Sequence, residues 1–247
     1  MSAYRVTFPR VVHAEWTKLF ALRSTWVVAG TIALLTVALA GATGWHTHRA
    51  DVPGALLGID FVSLVLGVFG IMMITGEYGS GLIRATFAAV PRRLPVLLAK
   101  AVVLAAAAVP LMVLVVVAAL AANRVLAGHA APPGTDPVRA ATGAVAASVA
   151  FALLGLGVGA LLRHTATAIT VYVLSMLLLP ALLQAALPER LGTDIVRYVP
   201  VAAAQAMYTT GDNPFRMLAA GPAVLVTAGW VAALLALGGM VLWRRDP

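Results

Sequence analysis

The sequence predicts an all-α integral membrane protein with six transmembrane helices, on three observations. Hydrophobic residues make up 62% of the 247 residues and charged ones only 11%, with a mean hydropathy of +0.97, which leaves too little polar surface for a water-soluble domain. Six stretches run free, or nearly free, of Asp, Glu, Lys and Arg over lengths that reach across a hydrocarbon core of about 30 Å at about 1.5 Å per residue. Basic residues, finally, gather at one set of ends of those stretches.

The chain reads as a single membrane domain over 1–247, with no tract polar enough to fold separately. Its first element covers about 5–23, where Phe8, Val11, Val12, Trp16, Leu19 and Phe20 recur at helical spacing while Arg10, His13, Thr17 and Lys18 project elsewhere. This is the pattern of a helix lying along the cytoplasmic leaflet. Glu15 falls in the middle of its apolar face and needs a partner: Lys18 nearby, the lipid headgroups, or a tertiary ion pair. Arg23, Ser24 and Thr25 then lead into the first span.

The spans cover about 25–44, 56–76, 95–121, 140–162, 166–187 and 220–243. The charge-free run of the second, Phe61 to Gly76, needs the help of Ala55 to Asp60 to reach across, and Asp60, a turn or two inside its outer end, reads as reaching the interface in preference to facing a cavity. Gly155, Gly157 and Gly159 in the fourth span read as close helix packing and not as a dinucleotide fingerprint. With a cytoplasmic start the inner side carries 11 basic residues, Lys18, Arg84, Arg92, Arg93 and Lys100 among them, and the outer side 6. That bias places both termini in the cytoplasm. A signal-peptidase reading at Ala38-Leu39-Ala40, with a mature start at Gly41, competes with it, but so long a leader with its own amphipathic pattern suits a retained anchor.

Between spans two and three the chain runs Thr75-Gly76-Glu77-Tyr78-Gly79-Ser80-Gly81-Leu82-Ile83-Arg84-Ala85-Thr86-Phe87 and on through Val90 to Pro91-Arg92-Arg93. Gly79 and Gly81 permit a sharp departure from the membrane helix, Ser80 can cap a new helix, and Pro91 ends it. Ile83, Phe87 and Val90 follow i, i+4, i+7 spacing and predict an apolar ridge beside Arg84 and Thr86. So short a helix has no core of its own, so the ridge must dock on a protein partner or the membrane surface.

At these residues the chain resembles the permease subunits of ABC-2 type ATP-binding-cassette exporters, particularly the small bacterial permeases encoded apart from their ATPase. The resemblance covers the whole length. It rests on Glu15-Trp16-Thr17-Lys18-Leu19 followed by Leu22-Arg23-Ser24-Thr25-Trp26, on Glu77-Tyr78 with Gly79, Gly81, Ile83-Arg84 and Thr86, and on Pro91-Arg92-Arg93 before Lys100. It implies that the first segment is an elbow helix, with Glu15, Trp16, Lys18 and Arg23 in it. Leu82 to Val90 would be a coupling helix that docks on a nucleotide-binding subunit, its base shaped by Glu77, Tyr78 and Arg84. Arg92 and Arg93 would flank it. Glu15, Glu77 and Arg84 are then candidates for an ion-paired joint between elbow and coupling helix. The resemblance also implies an outer re-entrant hairpin between spans five and six, where Pro188 to Pro222 forms the longest polar interruption. Val201 to Tyr208 within it is apolar but too short to span, as suits a re-entrant or surface helix; an ordinary outer loop is the other reading.

The partners so implied are a separate ATPase subunit carrying ATP and magnesium, a second permease copy or a related permease, membrane lipid, and a hydrophobic or amphipathic cargo such as a drug or antibiotic. The location implied is the bacterial cytoplasmic membrane. In this chain no Gly-x-x-x-x-Gly-Lys-Ser/Thr phosphate loop occurs, so neither a nucleotide cofactor nor enzymatic activity is expected of it. His46 and His48 with Asp51 read as a solvated turn and not a metal site, and Arg163-His164 as topology anchors. A pI near 10.8 could point to nucleic acid, but the basic residues form no patch. No acid or base is expected deep in the spans, which argues against an ion-coupled secondary transporter; that class, and a non-transporting scaffold or sensor, remain the alternatives.

Overall fold

The computed structural model describes residues 7–89, 93–128, 136–210 and 217–244, and every regular element among them is an α-helix. Helix α1 (Phe8–Ala21) starts at Pro9 in its first turn, where a missing N–H costs nothing, and stops at Leu22, whose extended backbone opens an immediate corner into α2 (Arg23–Thr47). A short α3 (Val52–Leu56), capped by the Asp51 carboxylate on the Gly54 N–H, leads into α4 (Ile59–Gly79). Then come α5 (Leu82–Ala89), α6 (Arg93–Ala127) and α7 (Pro137–Leu162), the last capped by Asp136 on the N–H groups of Val138 and Arg139. Four shorter helices follow, α8 (Thr165–Leu177), α9 (Leu179–Ala186), α10 (Glu189–Val196) and α11 (Pro200–Ala206), before α12 (Ala220–Arg244) closes the chain.

Among the described residues, five segments are long and apolar enough to cross a membrane, namely Arg23–Thr47, Val52–Gly79, Leu94–Ala127, Pro137–Leu162 and Ala220–Trp243. The pair α8 and α9, which would make a sixth crossing if taken as one span, meets at a 48° bend, with Pro180 in the first turn of α9. The chain is thus a multi-pass membrane protein of five continuous spans and one bent pair. Large side chains stand in the open along it, Leu34 at 71% exposure, Leu114 at 70% and Leu225 at 74%, a surface suited to lipid and not to water. Trp26 and Trp45, exposed at the two ends of α2, lie 19 residues apart, about 28 Å along a helix, the spacing of two interfacial aromatic belts.

Helix α7 is the centre of the bundle, packed on α4, α6, α8 and α12. Its crossing with α4 is built from small residues: Ser63 and Ser148 share a hydrogen bond of 3.1 Å, and a Cβ on Gly155 would stand 1.9 Å from the Gly67 carbonyl oxygen. Gly70 likewise abuts the Ala152 carbonyl, and Gly157 and Gly159 meet Leu234 and Ile71. The three glycines of span four therefore serve close packing, as the sequence predicts.

Helices α2 and α6 pair at the other flank through Asn123, whose amide donates to the Ala40 carbonyl (3.0 Å) and Thr43 hydroxyl (3.1 Å) and whose Oδ1 accepts from the Asp51 N–H (3.1 Å). Asn123 is buried, so Asn123→Ala strands the Asp51 N–H and removes one bond each from the Ala40 carbonyl and the Thr43 hydroxyl, which remain bonded to each other. We expect a loss of about 1–3 kcal/mol, read as a lower thermal midpoint of the purified protein; an unchanged midpoint would show these bonds to be isoenergetic with their alternatives.

Two local expectations are corrected. Ser80 does not begin the new helix: it ends α4, its hydroxyl donating to the Gly76 carbonyl at 2.8 Å, and the turn is made by Gly81 at φ +74°, a conformation open to glycine without strain. Asp60 does not reach into the interface region alone, because its carboxylate accepts bonds from Gln205 of α11 and from Tyr208 just beyond that helix. From α12, Trp230 donates to the Tyr198 carbonyl at 2.9 Å, ten residues from the start of that helix and about 15 Å along it. The backbone of Met207 packs on Gly143, six residues into α7, or about 9 Å. Residues 211–216 of this interruption lie outside the described residues.

Candidate functional site

The apolar faces of α1 and α6 meet through Val11 and Val12 against Val96 and Ala99. The residue after Ala99 is Lys100, on the same face of α6 one turn beyond Val96, so this packing drives its side chain under α1. There it meets Glu15, which lies between Val11 and Leu19 on the buried face of α1. Lys100 Nζ donates to Glu15 Oε2 and to Glu77 Oε1, both at 2.7 Å, and Lys18 Nζ donates to Glu15 Oε1 at 2.9 Å and Glu77 Oε1 at 3.0 Å. Thr86 of α5 closes the arrangement, its hydroxyl 3.4 Å from Glu77 Oε2 and 3.4 Å from Lys18 Nζ.

Among the described residues, four charges of net zero thus tie α1, the C-terminal end of α4, α6 and α5 together. Three are withdrawn from solvent, with side-chain exposures of 2% for Lys100, 2% for Glu15 and 10% for Glu77, while Lys18 keeps 36%. Burying a charge is costly unless each is paired and hydrogen-bonded, and here every ammonium reaches two carboxylates. Lysine suits the role because its compact, tetrahedral head donates out of any single plane, whereas the five donors of a guanidinium are confined to one.

Burial works against the Lys18 ammonium, but the hydrogen bond and charge of Glu15, then those of Glu77, outweigh it and hold the group above the ordinary lysine value of 10.5. A group so raised contributes stability that is complete below its unfolded pKa and is lost as pH climbs through the folded one. Thermal stability is therefore expected to stay level between about pH 7 and about pH 10, as far as Lys18 is concerned, and to fall at higher pH. Lys18→Met should flatten that alkaline limb; identical limbs in the two proteins would exclude Lys18 as its source.

Of the residues singled out from sequence, Glu15, Lys18, Glu77 and Thr86 come together. Trp16 stacks on Phe20 at 4.7 Å and stays half-exposed beside the corner, and Arg23 opens α2 exposed. Tyr78 turns the other way, its ring 5.5 Å from the Arg163 guanidinium at the end of α7. Gly79 ends α4, Gly81 makes the turn, and Leu82 is exposed. Ile83, expected on an open ridge, is buried at 3%, so the chain itself covers that part of the ridge. Val90 and Arg92, and the side chains of Arg84, Phe87 and Arg93, lie outside the described residues.

Lys100 was not among the residues singled out, although a signal existed. The chain has fifteen Arg but two Lys, and three Glu; both lysines and two of the glutamates are in this cluster. Lys100 is buried, at 1% exposure, six residues from the start of the span Leu94–Ala127 and so near one end of it. No protein-family model matches this sequence, and no curated protein does.

Proposed function

We propose that the chain is the membrane permease subunit of an ATP-driven exporter, with α1 as its elbow helix, α5 as its coupling helix and the ATPase on a separate subunit. The observation that carries this reading is the four-charge joint. A short helix beside Gly81 would transmit little if it hung free, but Thr86 contacts the same carboxylate that Lys100 and Lys18 hold. Displacing α5 therefore loads α1, α4 and α6 together, as a lever driven by closure of an attached ATPase dimer requires. The Met207 and Tyr198 contacts deep along α7 and α12 support a re-entrant outer hairpin over an ordinary loop.

Buried acids and bases also occur in ion-coupled transporters. In this joint, however, each charge is already matched by another on a different helix, which suits a mechanical fastening better than a site that must gain and lose an ion. The membrane orientation we adopt is cytoplasmic for α1, α5 and both termini, in a bacterial cytoplasmic membrane, with a second permease copy or related permease completing the pathway.

Co-purification with a phosphate-loop ATPase encoded beside it, followed by flux in vesicles, tests the proposal. We expect ATP-dependent flux, and loss of ATPase binding or flux in Arg84→Ala. Flux driven by a proton gradient without ATP would sink the exporter reading, and an Arg84→Ala protein with binding and flux both intact would remove Arg84 from the docking surface.

A further inference from the structure

A cavity of about 410 Å³ lies between the outer end of α4 and the segment α8–α11, with Phe151 of α7 at its floor. Its size falls in the range of small-molecule sites, about 300–1,000 Å³. Phe61, Leu64, Phe151, Met176, Val201 and Met217 give it apolar walls, and Asp60 stands in them. Both hydrogen bonds to that carboxylate arrive at one oxygen: the Tyr208 hydroxyl donates to Oδ1, and Gln205 Nε2 donates to it at 3.0 Å. Burial, reinforced by the Asp60 charge, raises the Tyr208 phenol far above its ordinary value, so it serves as a donor and not as a counter-charge.

Among the described residues no cation forms an ion pair with Asp60, and the residue is exposed. Arg197 also borders the cavity, but its guanidinium is 3.4 Å from Asp194 and lies over the Tyr198 ring at 5.1 Å. Its charge is thus met by its own neighbours. The cavity therefore presents an unmatched negative charge in an apolar chamber. A hard metal ion would need several oxygen ligands, where one carboxylate among alkyl and aromatic groups offers too few.

We propose that this cavity binds an amphipathic organic cation, with Asp60 as its counter-ion and the apolar walls enclosing its body. The inference deepens the exporter reading, on which it rests for the role of the occupant as cargo, but binding itself needs no ATPase. The competing role for Asp60 is a tether alone, holding α11 to α4, and the two make different demands on the variants.

The test uses the full chain in phosphatidylcholine nanodiscs and ethidium, a fluorescent aromatic monocation, titrated to equilibrium. We expect saturable binding, weakened at least tenfold in Asp60→Asn. Tyr208→Phe removes a tether bond but keeps the charge and is expected to change Kd less than threefold; Leu64→Trp, which fills the chamber, should abolish binding. The neutral parent ring, 6-phenylphenanthridine, should bind wild type at least tenfold more weakly, a comparison that stands even if a variant does not fold. Absence of saturable binding, equal affinity for the neutral ring, or Tyr208→Phe as damaging as Asp60→Asn would overturn the inference. Ethidium binding without ATP-driven flux would sink the exporter reading and leave this site; ATP-driven flux without ethidium binding would do the reverse.

Discussion

Lys100→Met is expected to destabilise the protein by about 3–5 kcal/mol, because it leaves two carboxylates withdrawn from water with one partly exposed ammonium between them. Glu15 and Glu77 would then repel each other across the gap that Lys100 fills, at 2.7 Å from each. The measurement is the thermal midpoint of the purified protein, followed by tryptophan fluorescence and by retention of a monodisperse peak. The charge-balanced double variant Glu15→Gln, Lys100→Met should lose less than the sum of its singles, with a coupling of about 0.5–3 kcal/mol. Lys100→Arg should not restore wild-type behaviour, because a planar fork cannot reach both acids in the same way. A Lys100→Met protein as stable as wild type would show that the joint does not hold these helices together.

Gly155→Leu is expected to cost about 3 kcal/mol or more, since its first added carbon would stand 1.9 Å from the Gly67 carbonyl oxygen. The obstacle is backbone, so no rotamer relieves it, and α4 and α7 must move apart. That separation would also pull Ser63 from Ser148 and draw Gly67 away from Tyr172, whose hydroxyl lies against it. Gly76→Ala provides the contrast: no atom lies within 4 Å of its added carbon, and alanine is favoured over glycine in a helix by about 0.5–1 kcal/mol. Expression and thermal midpoint should fall for the first and hold or rise for the second. Equal behaviour of the two would mean that the α4–α7 crossing is not close-packed as described.

Much of the candidate site was legible in part. The misplaced Glu15 on an apolar face signalled a partner, and its alternatives, Lys18 or a tertiary ion pair, both prove correct at once. The other end of the joint was not legible from local pattern. Lys100 lies 85 residues from Glu15 and next to a cluster of arginines, where a basic residue is explained well enough by membrane topology. Asp60 was read as an interfacial group for the same reason: its partners Gln205 and Tyr208 are about 145 residues away, and no periodicity reports a contact across that distance.

The chain's apolar runs and glycine stripe were determined by sequence alone, because the cost of exposing backbone and charge to lipid acts on each segment separately. Helix type, span lengths and the membrane class follow from that cost without knowledge of neighbours. Which charges meet, and whether a bent pair replaces a straight span at Pro180, depend on how those segments pack. Pairing between buried charges is a property of two helices brought to one depth and one face, so only the tertiary structure could decide that the two lysines of the chain share the same pair of acids.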